Sequence, residues 1–314
     1  MKHWMFWGMS TLCAWAAMGS EMGMKNKVGT LFPADVKTVG IVSISSILPK
    51  EKFDCGTNLI VSAGYRVKVM PNVQGPKVAP AETRARLFEK AWLDPEIDLL
   101  LFSRGGKGAA DVIGLIDWEK LRSRNMRVIG FSDVTLLVNT MLAKQIGHPY
   151  TGPMLSSFGS WTAKARNWFG KMLAGAPLPT LQVKVLKSGT AKGLPMGGHV
   201  TRMHHLFQKG IAPSTAGRIV FFECTANYPV DQLKSQLLEM RDAGFLKDAA
   251  AVVFADFRHT GEDHTNLNQF FETFATSLPC PVFADYPYGH CSGSLLIDFQ
   301  REAEISADGT FTWR

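Results

Sequence analysis

Residues 127–142, with the sequence RVIGFSDVTLLVNTML, form the stretch that decides the fold. Two β-branched residues, Val128 and Ile129, precede Gly130-Phe131-Ser132-Asp133. Apolar residues then recur at helical spacing, at Val134, Leu137, Val138, Met141 and Leu142. The pattern therefore predicts a short strand that turns sharply into an amphipathic helix, with Ser132 on the turn.

Two interpretations of Ser132 are compatible with this turn. A strand-to-helix turn pushes a serine hydroxyl out of the sheet and places the next backbone N–H at a helix N-terminus, where a developing oxyanion is favoured. Alternatively, Ser132 or Asp133 is an N-cap, a position that both residue types favour. The local pattern alone favours the cap, so the rest of the chain has to decide.

The N-terminal half alternates apolar strands with helices. Strands are predicted at residues 38–42, 65–70 and 97–102, and helices at residues 58–63 and 81–91. Almost uniformly apolar strands alternating with helices indicate a parallel sheet that is covered on both faces. Because ligands bind beyond the carboxyl ends of such strands, the loop Arg104-Gly105-Gly106-Lys107-Gly108 and the Ser132 turn are expected to lie at a site. The loop matches neither nucleotide-binding glycine motif.

The C-terminal half reads as mixed α/β. An apolar strand at residues 218–222 ends on Glu223, a Pro/Gly-rich loop ends on His290, and residues 294–313 have the pattern of a closing antiparallel set. We predict a Rossmann- or flavodoxin-like parallel-sheet domain at residues 30–158, a linker at residues 159–189, and a smaller mixed α/β domain at residues 190–314.

The N-terminus has the pattern of an export signal. Met1-Lys2-His3 precede an uncharged apolar run that ends at Ala17-Met18-Gly19, a small-x-small site. We expect residues 1–19 to be a signal peptide and the protein to be periplasmic; an uncleaved anchor is the rival, and a non-functional leader would leave the protein in the cytoplasm. The net charge of +7 is scattered and no nucleic-acid motif is present, so we expect no nucleic-acid partner.

The histidines and cysteines lack metal-site spacing. His199, His204 and His205 form one cluster and His259 and His264 another, but neither has HExxH spacing. No CxxC pair occurs. We therefore expect neither a metal nor a cofactor.

Three residues form a candidate catalytic triad. In the general template Ser132 would attack, His290 would take and return its proton, and Glu223 would fix the imidazole tautomer and stabilise its positive charge. Periodicity alone could not have selected this combination.

The chain resembles the LD-carboxypeptidase family (serine peptidase family S66, the muramoyltetrapeptide carboxypeptidases, which includes microcin-immunity proteins). The likeness runs from about Thr38 to Trp313. The motifs that carry it are ETRARLFEKAWLDPEIDLLLFSRGGKGA (residues 82–109), VIGFSDVT (128–135), TGPM (151–154), GGHVT (197–201), IVFFE and YPVDQL (219–223 and 228–233) and PYGH (287–290).

The resemblance implies roles for particular residues. Ser132 maps to the nucleophile, with Glu223 and His290 as its partners, and the backbone N–H groups of Asp133 and Gly106 map to an oxyanion hole. Lys107 stands where the family usually has tyrosine, and we assign it to substrate binding.

Other departures from the family pattern also fall near the site. His199 replaces an asparagine, Cys224 replaces an aspartate, and the segment after His290 lacks the usual asparagine and proline–glycine. If the chain is exported, a disulfide between Cys224 and Cys291 is conceivable.

The resemblance implies release of terminal D-alanine from peptidoglycan tetrapeptides, in a cleft between two domains. The expected partner is a small muropeptide substrate, with transient contact with the cell wall and a homodimer left open. The alternatives are an immunity-type hydrolase of peptidyl-nucleotide antibiotics and a catalytically inactive muropeptide-binding protein.

Overall fold

The computed structural model describes residues 31–314, so the predicted signal peptide lies outside the described residues. The elements of the first half follow in chain order: β1 (Thr38–Val42), α1 (Lys50–Ser62), β2 (Arg66–Val69), α2 (Ala81–Leu93), β3 (Leu99–Phe102), α3 (Ala109–Ile113), α4 (Trp118–Leu121), β4 (Arg127–Ile129), α5 (Thr135–Lys144), β5 (His148–Thr151) and α6 (Ala163–Leu173).

The second half continues this alternation and ends in short strands. Its elements are β6 (Leu181–Gln182), β7 (Lys184–Lys187), β8 (Ala191–His199), α7 (Val200–Gln208), β9 (Arg218–Cys224), α8 (Val230–Asp242), β10 (Ala251–Phe257), α9 (Gly261–Ser277), β11 (Val282–Ala284), β12 (Ile297–Asp298), β13 (Ala303–Ile305) and β14 (Thr310–Trp313).

The first sheet has six strands in the order β12-β5-β4-β3-β1-β2. Its five strands from the N-terminal half are parallel, and only β12 is antiparallel, paired with β5. The central strands β1 and β3 are buried along their whole length, as expected of a sheet with helices on both faces. All five parallel strands therefore point their carboxyl ends at one edge, where β3 and β4 deliver the glycine loop and the Ser132 turn.

The second sheet has eight strands in the order β6-β14-β13-β8-β9-β10-β11-β7. Strands β8 to β11 are parallel, and the outer strands pair antiparallel. The predicted fold class, a parallel-sheet half followed by a mixed α/β half, is confirmed.

Two boundaries differ from the sequence prediction. Helix α1 begins at Lys50 and not near residue 58, because its first three residues are charged and exposed and give no apolar period. The predicted linker at residues 159–189 contains three regular elements: α6 packs by a hydrogen bond from Trp168 Nε1 to the Leu296 carbonyl (3.0 Å), and β6 and β7 join the second sheet.

No helix among residues 31–314 has the length and apolar character needed to cross a membrane.

Candidate active site

Ser132 lies on a strained turn between β4 and α5. Residues Ser132–Val134 form a single 3₁₀ turn, and Ser132 has φ +61°, in the left-handed region that non-glycine residues seldom adopt. No side-chain capping bond is made at the start of this turn or of α5. The capping interpretation is therefore wrong, and the turn directs the serine hydroxyl away from the sheet.

Glu223 and His290 approach Ser132 from the second half of the chain. Glu223 is fully buried near the end of β9, next to the last residue of β8, and His290 lies on the loop between β11 and β12. The His290 Nδ1 is 2.7 Å from the Glu223 Oε2, and its Nε2 is 3.1 Å from the Ser132 Oγ. The structure thus brings the three predicted residues into one hydrogen-bonded chain.

The charge of Glu223 dominates the electrostatics of His290. Burial of the imidazole disfavours its charged form, but the adjacent carboxylate outweighs this effect and raises the pKa of His290 above its usual value. The Phe131 ring lies 4.8 Å from the His290 ring and covers one side of it. His290 is thus held between a carboxylate, a hydroxyl and an aromatic ring.

His199 forms a second, neutral histidine site behind the first. Burial lowers the pKa of His199 to about 4. Its Nδ1 is 3.0 Å from the Thr201 Oγ1, its Nε2 is 3.7 Å from the Cys224 Sγ, and its ring meets the His290 ring edge-on at 5.9 Å. The two family departures at residues 199 and 224 are therefore in contact with each other.

The carboxylate of Asp133 ties three segments to the nucleophile turn. Its Oδ2 accepts hydrogen bonds from the Ser45 Oγ (2.7 Å) and from the backbone N–H of Ala109 (2.9 Å). Its Oδ1 lies 2.8 Å from the Arg202 Nε. Sequence reasoning missed Ser45 and Arg202, because neither lies in a pattern that predicts proximity to residue 133.

The glycine loop approaches Ser132 more closely at Gly105 than at the predicted Gly106. A Cβ on Gly105 would lie 2.8 Å from the Ser132 Cβ and Oγ and 3.2 Å from the backbone nitrogen of Asp133. Gly106 has φ +122°, and a Cβ there would overlap the Ser46 side chain. Both glycines are required sterically, so the loop can lie directly against the nucleophile turn.

A cavity of about 470 Å³ lies next to Ser132 and His290. Ser132, His290, Gly105 and Gly106 line it together with serines and the aromatic ring of Trp161. Its charged lining residues are Lys52, Arg104 and Arg258, and no aspartate or glutamate of the described chain lines it. The cavity is therefore suited to an anionic ligand.

Lys107 does not belong to the cavity lining. Its side chain is exposed, and it is not among the residues that line the cavity. The reason is geometric: the Lys107 backbone N–H turns back toward the Ser46 Oγ (3.3 Å), and the chain leaves the cavity after Gly106. The candidate cations in the cavity lining are therefore Lys52, Arg104 and Arg258, and a contact between Lys107 and substrate stays a prediction.

Cys224 and Cys291 are separate thiols in the structure, which therefore contains no Cys224–Cys291 bridge. Within the same residues, no group of three or more His, Cys, Asp or Glu side chains is placed to hold a metal ion.

The fold and the site define a class of protein. Two α/β sheets meet at a cavity in which a serine, a histidine and a buried glutamate are hydrogen bonded in series, the arrangement that serine hydrolases use for nucleophilic catalysis. Family models for the N-terminal and C-terminal domains of LD-carboxypeptidase match residues 39–151 and 192–305. The chain belongs to the LD-carboxypeptidase (peptidase S66) family.

Individual relatives agree with this assignment over most of the chain. The Streptomyces coelicolor protein SCO6489 is 27% identical over 292 residues, covering 87% of this chain and 92% of the relative. The murein tetrapeptide carboxypeptidase of Pseudomonas aeruginosa is 26% identical over 229 residues, covering 67% of this chain and 72% of the relative.

Solved structures share the fold. The muramoyltetrapeptide carboxypeptidase of Oxalobacter formigenes superimposes with a TM-score of 0.79 at 22% identity, over 88% of this chain and 98% of that protein. MccF in complex with glutamyl sulfamoyl guanosine gives a TM-score of 0.77 at 17% identity, over 90% and 97% of the two chains.

Proposed function

We propose that this protein is a serine-type LD-carboxypeptidase that releases the terminal D-alanine from peptidoglycan tetrapeptides. The observation that carries the proposal is the hydrogen-bonded series Ser132–His290–Glu223 at the floor of a cationic cavity. Membership of the LD-carboxypeptidase family and the murein tetrapeptide activity named for the Pseudomonas relative support the substrate class.

The chemistry follows from the positions of three side chains. His290 Nε2 accepts the Ser132 hydroxyl proton as Oγ bonds to the carbonyl carbon that precedes D-alanine. The tetrahedral intermediate then breaks its C–N bond, and His290 returns the proton to the departing amine. Water next attacks the acyl ester, giving its proton to His290, and the ester bond to Ser132 breaks as its Oγ is reprotonated. Glu223 stabilises the imidazolium in both halves of the reaction.

We assign the oxyanion hole to backbone donors of two neighbouring loops. Asp133 supplies the N–H that follows the nucleophile, and the Gly105–Gly106 segment supplies the second donor. Gly105 lets the two loops meet, since any side chain there would overlap Ser132. Such preoriented donors stabilise the charge that develops on the carbonyl oxygen.

The terminal carboxylate of the substrate requires a cation near the leaving group. Because His290 protonates the departing D-alanine amine, the carboxylate attached to it lies on the His290 side of Ser132. Arg258 lines the cavity, its charge acts on His290, and its Nε forms only a loose ion pair with the Asp256 Oδ2 (3.8 Å), whereas Arg104 donates a hydrogen bond to the Ile47 carbonyl (3.1 Å). We therefore assign Arg258 to the carboxylate.

The test is product analysis by mass spectrometry, with the chain lacking residues 1–19 and a disaccharide-tetrapeptide as substrate. Loss of one alanine with the wild type and not with Ser132→Ala supports the proposal, and loss with both would show that Ser132 is not the nucleophile. No loss with a folded wild type would overturn the carboxypeptidase activity; hydrolysis of a peptidyl-nucleotide amide would then favour the immunity-type enzyme, and binding of the intact muropeptide the inactive binding protein.

We also propose that the protein is exported, on the basis of the apolar run and small-x-small site at residues 1–19. A reporter enzyme that is active only outside the cytoplasm, fused after residue 30, should be active. An inactive but stable fusion would contradict export.

A further inference from the structure

We infer that Arg202 is a positioning residue that locks the glycine loop against the nucleophile turn. Neither a sequence motif nor the catalytic triad includes it. The inference deepens the proposed function and rests on it, because the two loops that Arg202 joins are those assigned to the oxyanion hole.

The geometry places the guanidinium between the two loops. The Arg202 Nε lies 2.8 Å from the Asp133 Oδ1, an ion pair that is not aligned as a hydrogen bond, and its Nη2 donates to the Gly106 carbonyl at 3.5 Å. The Asp133 side chain is 2% exposed and that of Arg202 20%. One side chain therefore contacts the residue after the nucleophile and the predicted oxyanion glycine at once.

The Asp133 carboxylate would be costly without this partner. A buried carboxylate needs a cation and hydrogen-bond donors, and Asp133 has Ser45 and Ala109 as donors and Arg202 as its cation. Ser45 lies in the loop that follows β1, and Ala109 is the first residue of α3, directly after the glycine loop. The three contacts together fix the Asp133 backbone.

The orientation of Gly106 depends on contacts of the backbone around it. It has no side chain, and its positive φ gives it access to conformations closed to other residues. The Gly106 carbonyl shares its planar peptide with the Lys107 N–H, which lies 3.3 Å from the Ser46 Oγ, so Arg202 and Ser46 hold this peptide from its two ends. Arg202 therefore helps to hold the peptide that follows Gly106, next to the peptide that carries the Gly106 N–H.

Arg202 also joins the two halves of the molecule. It lies in α7, directly after β8, whose last residue His199 pairs with Glu223. Asp133 and Gly106 belong to the first sheet's loops. The start of α7 therefore lies next to Glu223 and also holds the nucleophile turn. This fixes the position of Glu223 relative to that of Ser132.

The test compares Arg202→Gln and Arg202→Lys with Arg127→Gln. Arg127 is a matched control, since it makes an Arg–Asp ion pair of 2.7 Å with Asp35 and is similarly half-buried, but lies at the start of β4, away from the cavity. We expect kcat to fall about 100-fold in Arg202→Gln with KM changed by less than about threefold, because a small displacement of positioned groups costs rate more than binding.

Chemical rescue distinguishes positioning from a general loss of structure. Lysine keeps the charge but cannot contact both groups as a planar fork does, so Arg202→Lys should be intermediate. Added guanidinium at millimolar concentrations should restore part of kcat in Arg202→Gln and have no effect on Arg127→Gln. Unchanged kcat in a folded Arg202→Gln, or equal losses in kcat for Arg202→Gln and Arg127→Gln, would overturn the inference.

A second readout keeps the inference separate from the proposed substrate. The rate at which a small fluorophosphonate labels Ser132 depends on the oxyanion donors and not on a muropeptide. If the wild type released no D-alanine, the proposed function would fail, yet slower labelling of Arg202→Gln than of Arg127→Gln would still support the positioning role. Equal labelling rates would contradict it.

Discussion

At the scale of single residues, the site contrasts two histidines whose rings are 5.9 Å apart. His199 is buried and His290 is half-buried, and only His290 faces the Glu223 carboxylate at hydrogen-bond distance. The pKa of His290 is raised, whereas burial lowers that of His199 to about 4. His199 is therefore a neutral hydrogen-bonding group, and His290 is the histidine equipped to exchange protons.

The raised pKa of His290 predicts the pH dependence of the wild type and of Glu223→Gln. A general base must be unprotonated, so the acid limb of kcat/KM should lie above pH 6.5, the ordinary pKa of histidine. In Glu223→Gln, burial still disfavours the charged form of His290, and the carboxylate that compensated for this is absent. The acid limb of kcat/KM should therefore move to lower pH. Nitrogen NMR of the two imidazoles checks this directly, with His199 as an internal reference that stays neutral to about pH 4. A limb that moved upward would contradict the assignment.

Backbone strain at Ser132 predicts a trade of stability against activity. The left-handed conformation destabilises a non-glycine residue such as Ser132 by about 1–2 kcal/mol. Glycine removes this strain, and its greater entropy in the unfolded chain offsets only part of that gain. The free energy of unfolding of Ser132→Gly should therefore exceed that of Ser132→Ala by about 1 kcal/mol. The glycine variant should accordingly unfold at a higher denaturant concentration. Both variants lack the hydroxyl and should be inactive, so the difference isolates the backbone. A glycine variant less stable than the alanine variant would show that the turn is unstrained.

At the scale of elements, the site is built from loops that leave the carboxyl ends of parallel strands. Strand β3 delivers Gly105 and β4 delivers Ser132, and the two strands are hydrogen-bonded neighbours. The loops therefore have to pass each other within van der Waals distance. This explains why a glycine, and not any flexible residue, occupies position 105.

Gly105→Ala should abolish activity without unfolding the protein. The new Cβ would lie 2.8 Å from the Ser132 Oγ, closer than real Cβ atoms come, so the nucleophile turn must shift. We expect kcat to fall by at least about 100-fold, because catalysis tolerates little misplacement. Gly114→Ala is the matched control, since nothing lies within 4 Å of a Cβ there. Thermal unfolding and kcat should both be near wild type in the control; a fully active Gly105→Ala would contradict the close approach.

Local sequence predicted the elements whose patterns are local. The apolar periodicity and the glycine and proline positions along the chain predict three of them: the turn at Ser132, the loop at Arg104–Gly108 and the strand that ends at Glu223. Helix α1 was predicted eight residues short, because its first three residues are charged and exposed and carry no apolar period. Arg202 could not be predicted at all, since its partners are 69 and 96 positions away and depend on how two sheets meet.

At the scale of the whole molecule, the second half of the chain completes the first. His290 is 158 positions from Ser132 and 67 from Glu223, so only the tertiary fold brings them together. The chain then returns to the first sheet, where β12 pairs with β5 and Asp298 lies 2.6 Å from His148. Family resemblance identified the three candidates; their catalytic roles stay predictions.

The charge of the cavity predicts a requirement for a free terminal carboxylate. Replacing that carboxylate by a carboxamide should lower kcat/KM by roughly 10- to 100-fold, since a hydrogen bond to a charged group contributes about 1.5–3 kcal/mol. Arg258→Gln should reduce this discrimination to less than about threefold, whereas the exposed Arg86→Gln on α2 should leave it intact. Equal discrimination by wild type and Arg258→Gln would place the carboxylate elsewhere.

The measurement that tests the central claim most directly is labelling by a fluorophosphonate, mapped by peptide mass spectrometry and repeated in Ser132→Ala, His290→Ala and Glu223→Gln. If a histidine and a buried glutamate of the second half activate a serine of the first, the wild type should be labelled at Ser132 alone. Ser132→Ala should then be unlabelled, and the other two variants should be labelled much more slowly. Label on another serine, or wild-type labelling rates in folded His290→Ala, would contradict the account.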